Sequence, residues 1–408
     1  MHKFLTQLAN RLRKHRGLYL LIGWFVGLYQ NTVMRCALLF RGFDDNTAVF
    51  SAFSFRSYND NPRYISEALH ELRPQTNIVW LFQDVERARR LYDIPSYVRV
   101  YKHTSLAGLC AIGRARVVVD NYAKKYYLQF PHKGQIYIQT WHGDRAFKKV
   151  GMDYGSRHVR MIEEHCSLGI TASDYGDRQF RSAFSYKGEL MKVGYPRNDI
   201  LIRNDPSEAA AIRARLGLDA DTRVLLYAPT FRDKNKDSKT IQKVDLDLHH
   251  VLDTLERTTG KNWKCLVRVH YLSLGLSVNT DAQRLIPASD YPEMAELLLI
   301  ADALLTDYSS CAGDYAVCHR PIYLYQDDLM DYKTKNRELY FDMKDSPYWV
   351  AATQDELDAL IEQTTPERAS ENCDAILDFY GAVETGHASQ SIAEYIADKL
   401  SPTERNHA

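Results

Sequence analysis

The sequence predicts an α/β protein built from two successive units of parallel strands and covering helices. Short apolar runs alternate with polar stretches of helical character, and the alternation starts twice, on either side of a break at residues 194–199. Such alternation is typical of parallel sheets covered by helices on both faces. A length of 408 residues is also sufficient for two hydrophobic cores. We therefore expect a ligand between the units, at the carboxyl ends of the strands.

The apolar runs predict the individual strands, and the polar stretches between them predict helices. In the first unit, the strands are residues 47–55, 77–82, 115–120, 136–140, 168–172 and 190–194, with helices at 63–72 and 85–91. In the second unit, the strands are residues 223–228, 263–270, 303–306 and 321–325, with helices at 246–257, 292–300 and 354–363. Asp205 and Pro206 begin a further helix, because a capping carboxylate and a first-turn proline favour helix starts.

Composition and missing motifs exclude several functions. Lys plus Arg equals Asp plus Glu at 52 each, so no overall positive field favours nucleic acid as a partner. The seven cysteines form no CxxC pair, which favours free thiols in a reducing cytoplasm over disulfides or a zinc site. The sequence lacks a Walker loop and a GxGxxG fingerprint, so neither a P-loop kinase nor a dinucleotide-dependent dehydrogenase is supported.

The amino-terminal segment, residues 1–45, combines positive charge with an apolar run. Lys3, Arg11, Arg13 and Lys14 precede residues 17–29, a run shorter than the roughly 20 residues that cross a bilayer. No small-residue cleavage site of a signal peptide follows it. Two interpretations remain: an ordinary buried helix, or a basic amphipathic segment lying on a membrane surface.

His142 is the first candidate for chemistry. It stands where an apolar strand ends, Gly143 lets the backbone turn, and Lys148 and Lys149 follow closely. An imidazole titrates near neutral pH and can take a proton from a hydroxyl group. A base beside cationic residues suits proton abstraction next to a phosphate-bearing donor.

Two further groups of polar residues also stand at predicted strand ends. Arg268 and His270 lie on one side of their strand and suit contact with a phosphate, although a polar cross-strand pair is the structural alternative. The hydroxyls of Thr306, Ser309 and Ser310 stand at a strand-to-helix turn that suits an anion, and capping alone is the alternative. With His142, these groups indicate transfer from an activated phosphate compound.

Four motifs occur in one order along the chain: residues 139–143 with Lys148, residues 194–199, residues 227–232, and residues 306–310 with Asp314 and Pro321. This set resembles the motifs of the CDP-glycerol glycerophosphotransferase family, the polymerases and primases of teichoic acids and related capsule polymers. Another motif, residues 58–62, resembles the family's amino-terminal motif. The resemblance spans roughly residues 48–395.

The resemblance implies a GT-B-like fold, with two facing Rossmann-like domains and a central cleft. Residues 46–203 would form the acceptor domain, residues 204–400 the CDP-alcohol donor domain, and residues 1–45 a possible membrane-surface anchor. The implied reaction moves glycerol phosphate or ribitol phosphate from CDP-glycerol or CDP-ribitol to a hydroxyl of a polymer or its lipid-linked primer, and CMP leaves. Attachment would be peripheral, on the cytoplasmic face of the membrane. The oligomeric state stays open.

The resemblance also implies roles for individual residues. His142 would deprotonate the acceptor hydroxyl, and Arg268 and His270 would contact the donor phosphates or assist the leaving group. The other implied positions are Thr306, Ser309, Ser310, Asp314, Arg232 and Lys148 around the donor, and Asp144 and Asn61 on the acceptor side. No cofactor or metal is required by the sequence, because lysines and arginines could neutralise the phosphates.

Three departures from the family pattern bear on specificity. Asp144 replaces the threonine that commonly follows His-Gly, and its carboxylate could repel phosphate or orient a hydroxyl. Phe55 stands where glycine is common, and Tyr271 begins a segment where a proline-type turn is usual. A GT-B glycosyltransferase using a nucleotide sugar and a non-catalytic binding subunit of a capsule assembly complex are the alternative functions.

Overall fold

The computed structural model describes residues 16–122, 131–156, 160–230, 246–269, 283–330, 332 and 338–400. Within these ranges the chain forms two parallel β-sheets with helices packed against them. The predicted α/β class with two units is therefore confirmed. Predicted site residues Arg232 and His270 lie outside the described residues, as do residues 1–15 of the amino-terminal segment.

The first sheet has seven parallel strands in the order β3-β2-β1-β4-β5-β6-β7. Ala48 and Phe50 of one interior strand pack into one hydrophobic cluster and Val49 packs into another, so both faces of the sheet are buried there. The strands are β1 Asp44–Ser51, β2 Asn77–Phe82, β3 Arg99–Lys102, β4 Ala115–Asp120, β5 Ile136–Gln139, β6 Leu168–Thr171 and β7 Glu189–Lys192.

The second sheet has six parallel strands in the order β10-β9-β8-β11-β12-β13. In each sheet the strand order reverses direction once, between β1 and β4 and between β8 and β11, and such switch points are where ligands bind in open α/β sheets. The strands are β8 Arg223–Tyr227, β9 Trp263–Val267, β10 Leu285–Pro287, β11 Ala303–Thr306, β12 Ile322–Tyr325 and β13 Trp349–Ala351.

Helices flank the strands, and several begin with a side-chain cap. Ser105, Ser173 and Thr353, for example, each accept a hydrogen bond from a backbone N–H in the first turn. The helices are α1 Arg16–Arg41, α2 Asp60–Leu72, α3 Val85–Leu91, α4 Leu106–Arg114, α5 Arg160–His165, α6 Asp174–Phe184, α7 Asp199–Arg203, α8 Pro206–Arg215, α9 Leu248–Thr259, α10 Met294–Ile300, α11 Cys311–Tyr315, α12 Gln354–Glu362, α13 Pro366–Tyr380 and α14 Ala388–Leu400.

The first predicted strand ends earlier than expected, because the chain turns after Ser51. Phe53, Ser54 and Phe55 have φ angles of 44°, 64° and 64°, in the left-handed region that disfavours side chains with a Cβ atom. This conformation gives a physical reason why glycine would suit position 55. Phe55 is nevertheless buried, and its ring stacks on that of His103 with centroids 4.4 Å apart.

Helix α1 exposes apolar side chains and buries polar ones. Gln30, Asn31 and Met34 face inward, and Met34 lies so close to Gly113 of α4 that a Cβ atom at Gly113 would stand 2.8 Å from it. In contrast, nine large hydrophobic side chains between Leu21 and Phe40 are from 40% to 85% exposed. None of the described helices is both long enough and apolar enough to span a membrane. Because so many of its apolar side chains are exposed, α1 is not the ordinary buried helix that was one of the two interpretations of its sequence.

The last described helix returns to the first sheet. Ile392, Ala393, Ile396 and Leu400 of α14 share a core with Ile65 and other residues of α2 and of the first sheet. The predicted boundary, which assigned all of residues 204–400 to one domain, therefore does not separate the two cores. The chain crosses back because α14 covers an apolar face that the first unit cannot bury alone.

We expect Ile396→Ala to lower the free energy of unfolding by about 2–5 kcal/mol, because it leaves a cavity in the core of the first unit. Glu394→Ala, on the exposed side of the same helix, should change it by less than about 0.5 kcal/mol. Urea unfolding followed by circular dichroism measures both. Equal stability of the two variants would contradict this packing of α14.

Candidate active site

A cavity of about 410 Å³ lies between the two sheets, at the carboxyl ends of their strands. Residues that follow strands of both sheets form its walls, as expected for a ligand site at the switch points. The polar and aromatic wall residues are Phe53, Asp60, His142, Arg197 and Asn198 from the first unit, and Thr230, Arg268, Ser289, Ser309, Ser310 and Asp314 from the second.

The imidazole of His142 is held on three sides. Its Nδ1 lies 2.7 Å from the carbonyl oxygen of Asn121, which follows β4. The ring of Tyr122 stacks on it with centroids 5.8 Å apart, and Phe53 meets it edge-on at 5.2 Å. The preceding residue, Trp141, has a left-handed φ of 53°, which turns the chain after β5.

This arrangement leaves His142 suited to act as a base. A carbonyl oxygen can only accept, so Nδ1 carries the proton and donates it to Asn121, and Nε2 carries the lone pair. Burial lowers the pKa of His142 below its ordinary value of 6.5, although the hydrogen bond to Asn121 and the charge of Asp60 act in the opposite direction. The imidazole is therefore neutral at neutral pH.

Arg268 presents a cation to the cavity. Its Nη1 donates to the carbonyl oxygens of Tyr291 at 2.6 Å and Ala288 at 3.3 Å. Burial lowers the pKa of the guanidinium, while Glu293 raises it, and a guanidinium stays charged at neutral pH. Among the described residues, no carboxylate forms a salt bridge with Arg268, so its charge is available to an anion.

The three hydroxyl residues predicted at the strand-to-helix turn differ in where their side chains lie. Ser309 and Ser310 line the cavity, and their contact with a phosphate stays a prediction. Thr306 does not line it: its side chain is fully buried, and its hydroxyl donates to the carbonyl oxygen of Ala228 at 2.7 Å. Thr306 therefore links β11 to the end of β8, and its hydroxyl hydrogen is already engaged.

Asp314 lines the cavity, but its charge is balanced by protein. Its carboxylate accepts from Nη2 of Arg197 at 2.8 Å and from Nδ2 of Asn198 at 3.3 Å. Arg145 lies 4.0 Å away on the other side. Asp314, predicted near the donor, thus lies on the cavity wall, and its closest charged partner is the arginine side chain of Arg197.

Asp144 and Asn61, predicted on the acceptor side, lie behind the cavity wall. The carboxylate of Asp144 is 2% exposed and accepts from the backbone N–H of Ala172 at 2.9 Å and the hydroxyl of Ser173 at 2.5 Å. Burial raises its pKa, and Arg145 opposes this shift. A side chain with these partners fastens the end of β6, and Asp144 is not among the residues that line the cavity.

Asn61 supports the loop that carries His142. Its side-chain NH₂ donates to the carbonyl oxygen of Trp141 at 3.2 Å, and its Oδ1 accepts from the backbone N–H of Arg197 at 3.2 Å. Asn61 is fully buried and contributes no atom to the cavity wall. Its position indicates a supporting role.

Lys148 lies where the two units join. It forms an isolated antiparallel bridge with Leu339, and its ammonium group is 5.6 Å from the centre of the Tyr332 ring. The next lysine, Lys149, pairs with Glu338 at 2.6 Å. Neither lysine is among the residues that line the cavity, so the structure does not bring the predicted cationic pair to His142.

Several residues at the site were not predicted. Asn121 orients His142, and Asp60 and Arg197 line the cavity and bind each other at 2.9 Å. Asn121 directly follows a predicted strand, so the strand-end argument that identified His142 could have found it. Arg197 stood inside the motif at residues 194–199 but was given no role, because its partners are distant in sequence.

Among the described residues, no group of three or more His, Cys, Asp and Glu side chains is arranged to hold a metal ion. The polar groups that meet the cavity include an imidazole, guanidinium groups, hydroxyls, the Asn198 amide and two carboxylates that are paired with Arg197. Two parallel sheets whose strand ends face one cavity, with His142 and Arg268 on its walls, have the architecture of the GT-B fold.

Comparison with known proteins places the chain within one family. The profile of the CDP-Glycerol:Poly(glycerophosphate) glycerophosphotransferase family matches residues 33–398. The chain belongs to this family, and the resemblance found in the sequence motifs is confirmed.

Curated relatives support the same assignment. A teichoic acid poly(glycerol phosphate) polymerase of Staphylococcus epidermidis is 31% identical over 82% of this chain, which spans about half (48%) of that relative's length. A protein of the same name from Bacillus spizizenii is 30% identical over 82% of this chain and 87% of the relative. The teichoic acid glycerol-phosphate transferase of Staphylococcus aureus is 29% identical, over 82% and 88%.

Solved structures confirm the predicted fold class. The wall teichoic acid polymerase TagF superposes with a TM-score of 0.77 at 27% identity, covering 92% of this chain and 97% of that one. A histidine-to-asparagine variant of TagF soaked with CDPG gives a TM-score of 0.79 at 28% identity, covering 97% and 98%.

We expect His142 to titrate with a midpoint below 6.5, because protonation would place a charge in a buried position. Nitrogen NMR of histidine-labelled protein measures the midpoint and identifies the protonated ring nitrogen, and His142→Gln assigns the signal. At neutral pH the proton should reside on Nδ1. A midpoint above 6.5 would contradict the burial of the ring as the dominant influence on its pKa, and a proton on Nε2 would contradict the observed hydrogen bond.

Proposed function

We propose that this protein transfers glycerol phosphate from CDP-glycerol to a hydroxyl of a teichoic-acid-like or capsular polymer, or of its lipid-linked primer, and releases CMP. Relatives named for glycerol phosphate are 29–31% identical over 82% of this chain. Relatives named for ribitol phosphate are 23–28% identical over 56–70%. Ribitol phosphate from CDP-ribitol is therefore the second candidate.

One observation carries this proposal: the same cavity presents a neutral imidazole and a guanidinium that has no carboxylate partner within the described parts of the chain. Nε2 of His142 takes the proton of the acceptor hydroxyl, whose oxygen then forms a bond to the phosphorus that bears the glycerol. The bond between that phosphorus and the oxygen bridging to the cytidine phosphate breaks, and its electron pair leaves with CMP. Arg268 stabilises the negative charge that grows on the departing phosphate.

The remaining residues act around the donor and the acceptor. Ser309 and Ser310 donate hydrogen bonds to the diphosphate oxygens, and Asp314 holds the wall beside them through Arg197. His270 and Arg232, which lie outside the described residues, complete the donor site by the resemblance alone. Residues 46–203 supply the acceptor side of the site. Residues from 204 onward supply the donor side, except for α14, which packs in the core of the first unit.

We expect the wild-type protein to release CMP from CDP-glycerol when a primed acceptor is present. His142→Ala should lower turnover by about 10²–10⁴-fold, because a general base is lost. Arg268→Gln should lower it by at least about 10²-fold, because a donor to the developing charge is lost. A coupled assay for CMP measures both.

Arg284→Gln is the matched control for Arg268, because Arg284 pairs with Asp253 and Glu256 outside the cavity. It should leave turnover unchanged.

A donor panel of CDP-glycerol, CDP-ribitol and nucleotide sugars separates this function from a glycosyltransferase, which would turn over only the sugars. Thermal stabilisation without turnover of any donor would instead favour a binding subunit. Dialysis against EDTA before the assay tests the expectation that no metal is required.

We also propose that the protein attaches to the cytoplasmic face of the membrane through its amino-terminal segment. The exposed apolar side chains of α1 include Trp24, Phe25 and Tyr29, and aromatic rings of this kind suit the headgroup region. Lys3, Arg11, Arg13 and Lys14 precede them in the sequence and would be attracted to anionic lipids.

We expect Phe25→Asp to weaken co-sedimentation with vesicles that contain anionic lipid, because a carboxylate would enter the apolar interface. Leu91→Asp places the same charge at another exposed hydrophobic residue outside α1 and should bind as the wild type does. Turnover with a soluble acceptor should be unchanged in both. Equal vesicle binding of the two variants would exclude α1 as the attachment surface.

A further inference from the structure

Arg197 connects three separate segments around the cavity. Its guanidinium donates to the carbonyl oxygen of His142 at 3.1 Å, to Asp60 at 2.9 Å and to Asp314 at 2.8 Å. The side chain is 7% exposed, and Tyr195 packs against its face at 4.8 Å. One planar group is therefore bonded to the loop of the base, to the start of α2 and to α11 of the second unit.

These bonds fix the distance between the two halves of the site. His142 follows β5 of the first sheet, whereas Asp314 follows Ser309 and Ser310 of the second unit by only a few residues. A guanidinium presents its donors in a rigid fork, so it sets both the separation and the orientation of the groups that it joins. Movement of one sheet relative to the other would break at least one of the three bonds.

Charge distinguishes Arg197 from the arginine that meets the ligand. Arg197 lies between the two carboxylates of Asp60 and Asp314, so its charge is already compensated. Burial alone would lower the pKa of its guanidinium. The two carboxylates raise that pKa and outweigh the effect of burial, so the group stays charged. Arg268 has no such partner among the described residues. The two arginines on the cavity wall thus have different tasks.

We propose that Arg197 is a positioning residue for phosphate transfer. It holds His142 at a fixed distance and orientation relative to the turn that carries Ser309 and Ser310. This inference rests on the proposed function. Because a displacement of about 1 Å can cost roughly 10²-fold in rate, loss of the guanidinium fork lowers turnover while the donor still binds to the second unit.

Two substitutions of Arg197 separate geometry from charge. Arg197→Lys keeps the charge but loses the fork, and Arg197→Gln loses both. We expect each to lower kcat for CMP release by about 10²-fold, with less than about threefold change in the Kd of CDP-glycerol measured by calorimetry. The charge of Arg197 lowers the pKa of His142, and that of Asp60 raises it. The fall of kcat toward low pH, where His142 becomes protonated, should therefore occur at higher pH in Arg197→Gln. It should stay in place in Arg197→Lys, which keeps the charge.

Arg63→Gln is the control, because Arg63 also joins the two units, through Glu296 at 3.1 Å, but does not line the cavity. Its kcat should stay within about threefold of the wild type. If the Arg197 variants do not fold, Asp314→Asn tests the same link from the other side, since it keeps an acceptor and removes the ion pair. We expect a lower kcat, by about tenfold, with an unchanged Kd.

The outcomes are distinguishable. Failure of the wild type to release CMP from either CDP-alcohol would overturn the proposed function, and the role of Arg197 with it. Release by the wild type, together with near-wild-type kcat in the folded Arg197 variants or in Asp314→Asn, would overturn the positioning role alone. A loss confined to donor affinity would likewise overturn it, because it would make Arg197 a ligand contact.

Discussion

The hydrogen bond between Nδ1 of His142 and the carbonyl oxygen of Asn121 decides what the imidazole can do. It exists because β4 and β5 are parallel neighbours in register, with Asp120 opposite Gln139, so the residues that follow both strands meet at one edge of the sheet. The left-handed backbone of Trp141 then turns the ring toward Asn121. Since the acceptor is a backbone carbonyl, the tautomer depends on strand register more than on any one side chain.

The distribution of charge around the cavity follows from the same need to satisfy buried groups. Buried carboxylates are stable only with partners, and Arg197 supplies them for Asp60 and Asp314. Arg145 does the same for Glu384 close behind. Arg268, bonded only to carbonyl oxygens among the described residues, keeps a charge that a phosphate can neutralise. Protein-facing and ligand-facing cations can thus be told apart by their partners.

The sequence predicted the buried strands well and the edge strands poorly, for one physical reason. Strands buried on both faces, such as Asn77–Phe82 and Ala303–Thr306, are continuous apolar runs. Edge strands need less apolar surface and were missed at Arg99–Lys102, Leu285–Pro287 and Trp349–Ala351.

At the site, strand-end reasoning brought His142, Arg268, Ser309 and Ser310 to one cavity, as the structure has them. It could not predict that the hydroxyl of Thr306 is bonded to the backbone, because sequence position does not determine which way a side chain points. Residues whose role depends on partners far along the chain need three-dimensional distances to be identified.

The return of α14 to the first sheet has a consequence for how the protein is made. Residues 388–400 are synthesised after every strand of the second sheet, yet they complete the core of the first unit. Domains of a growing chain usually fold in the order in which they leave the ribosome. Here the first unit must wait with an uncovered apolar face until the second has emerged, so the two units acquire their final stability together.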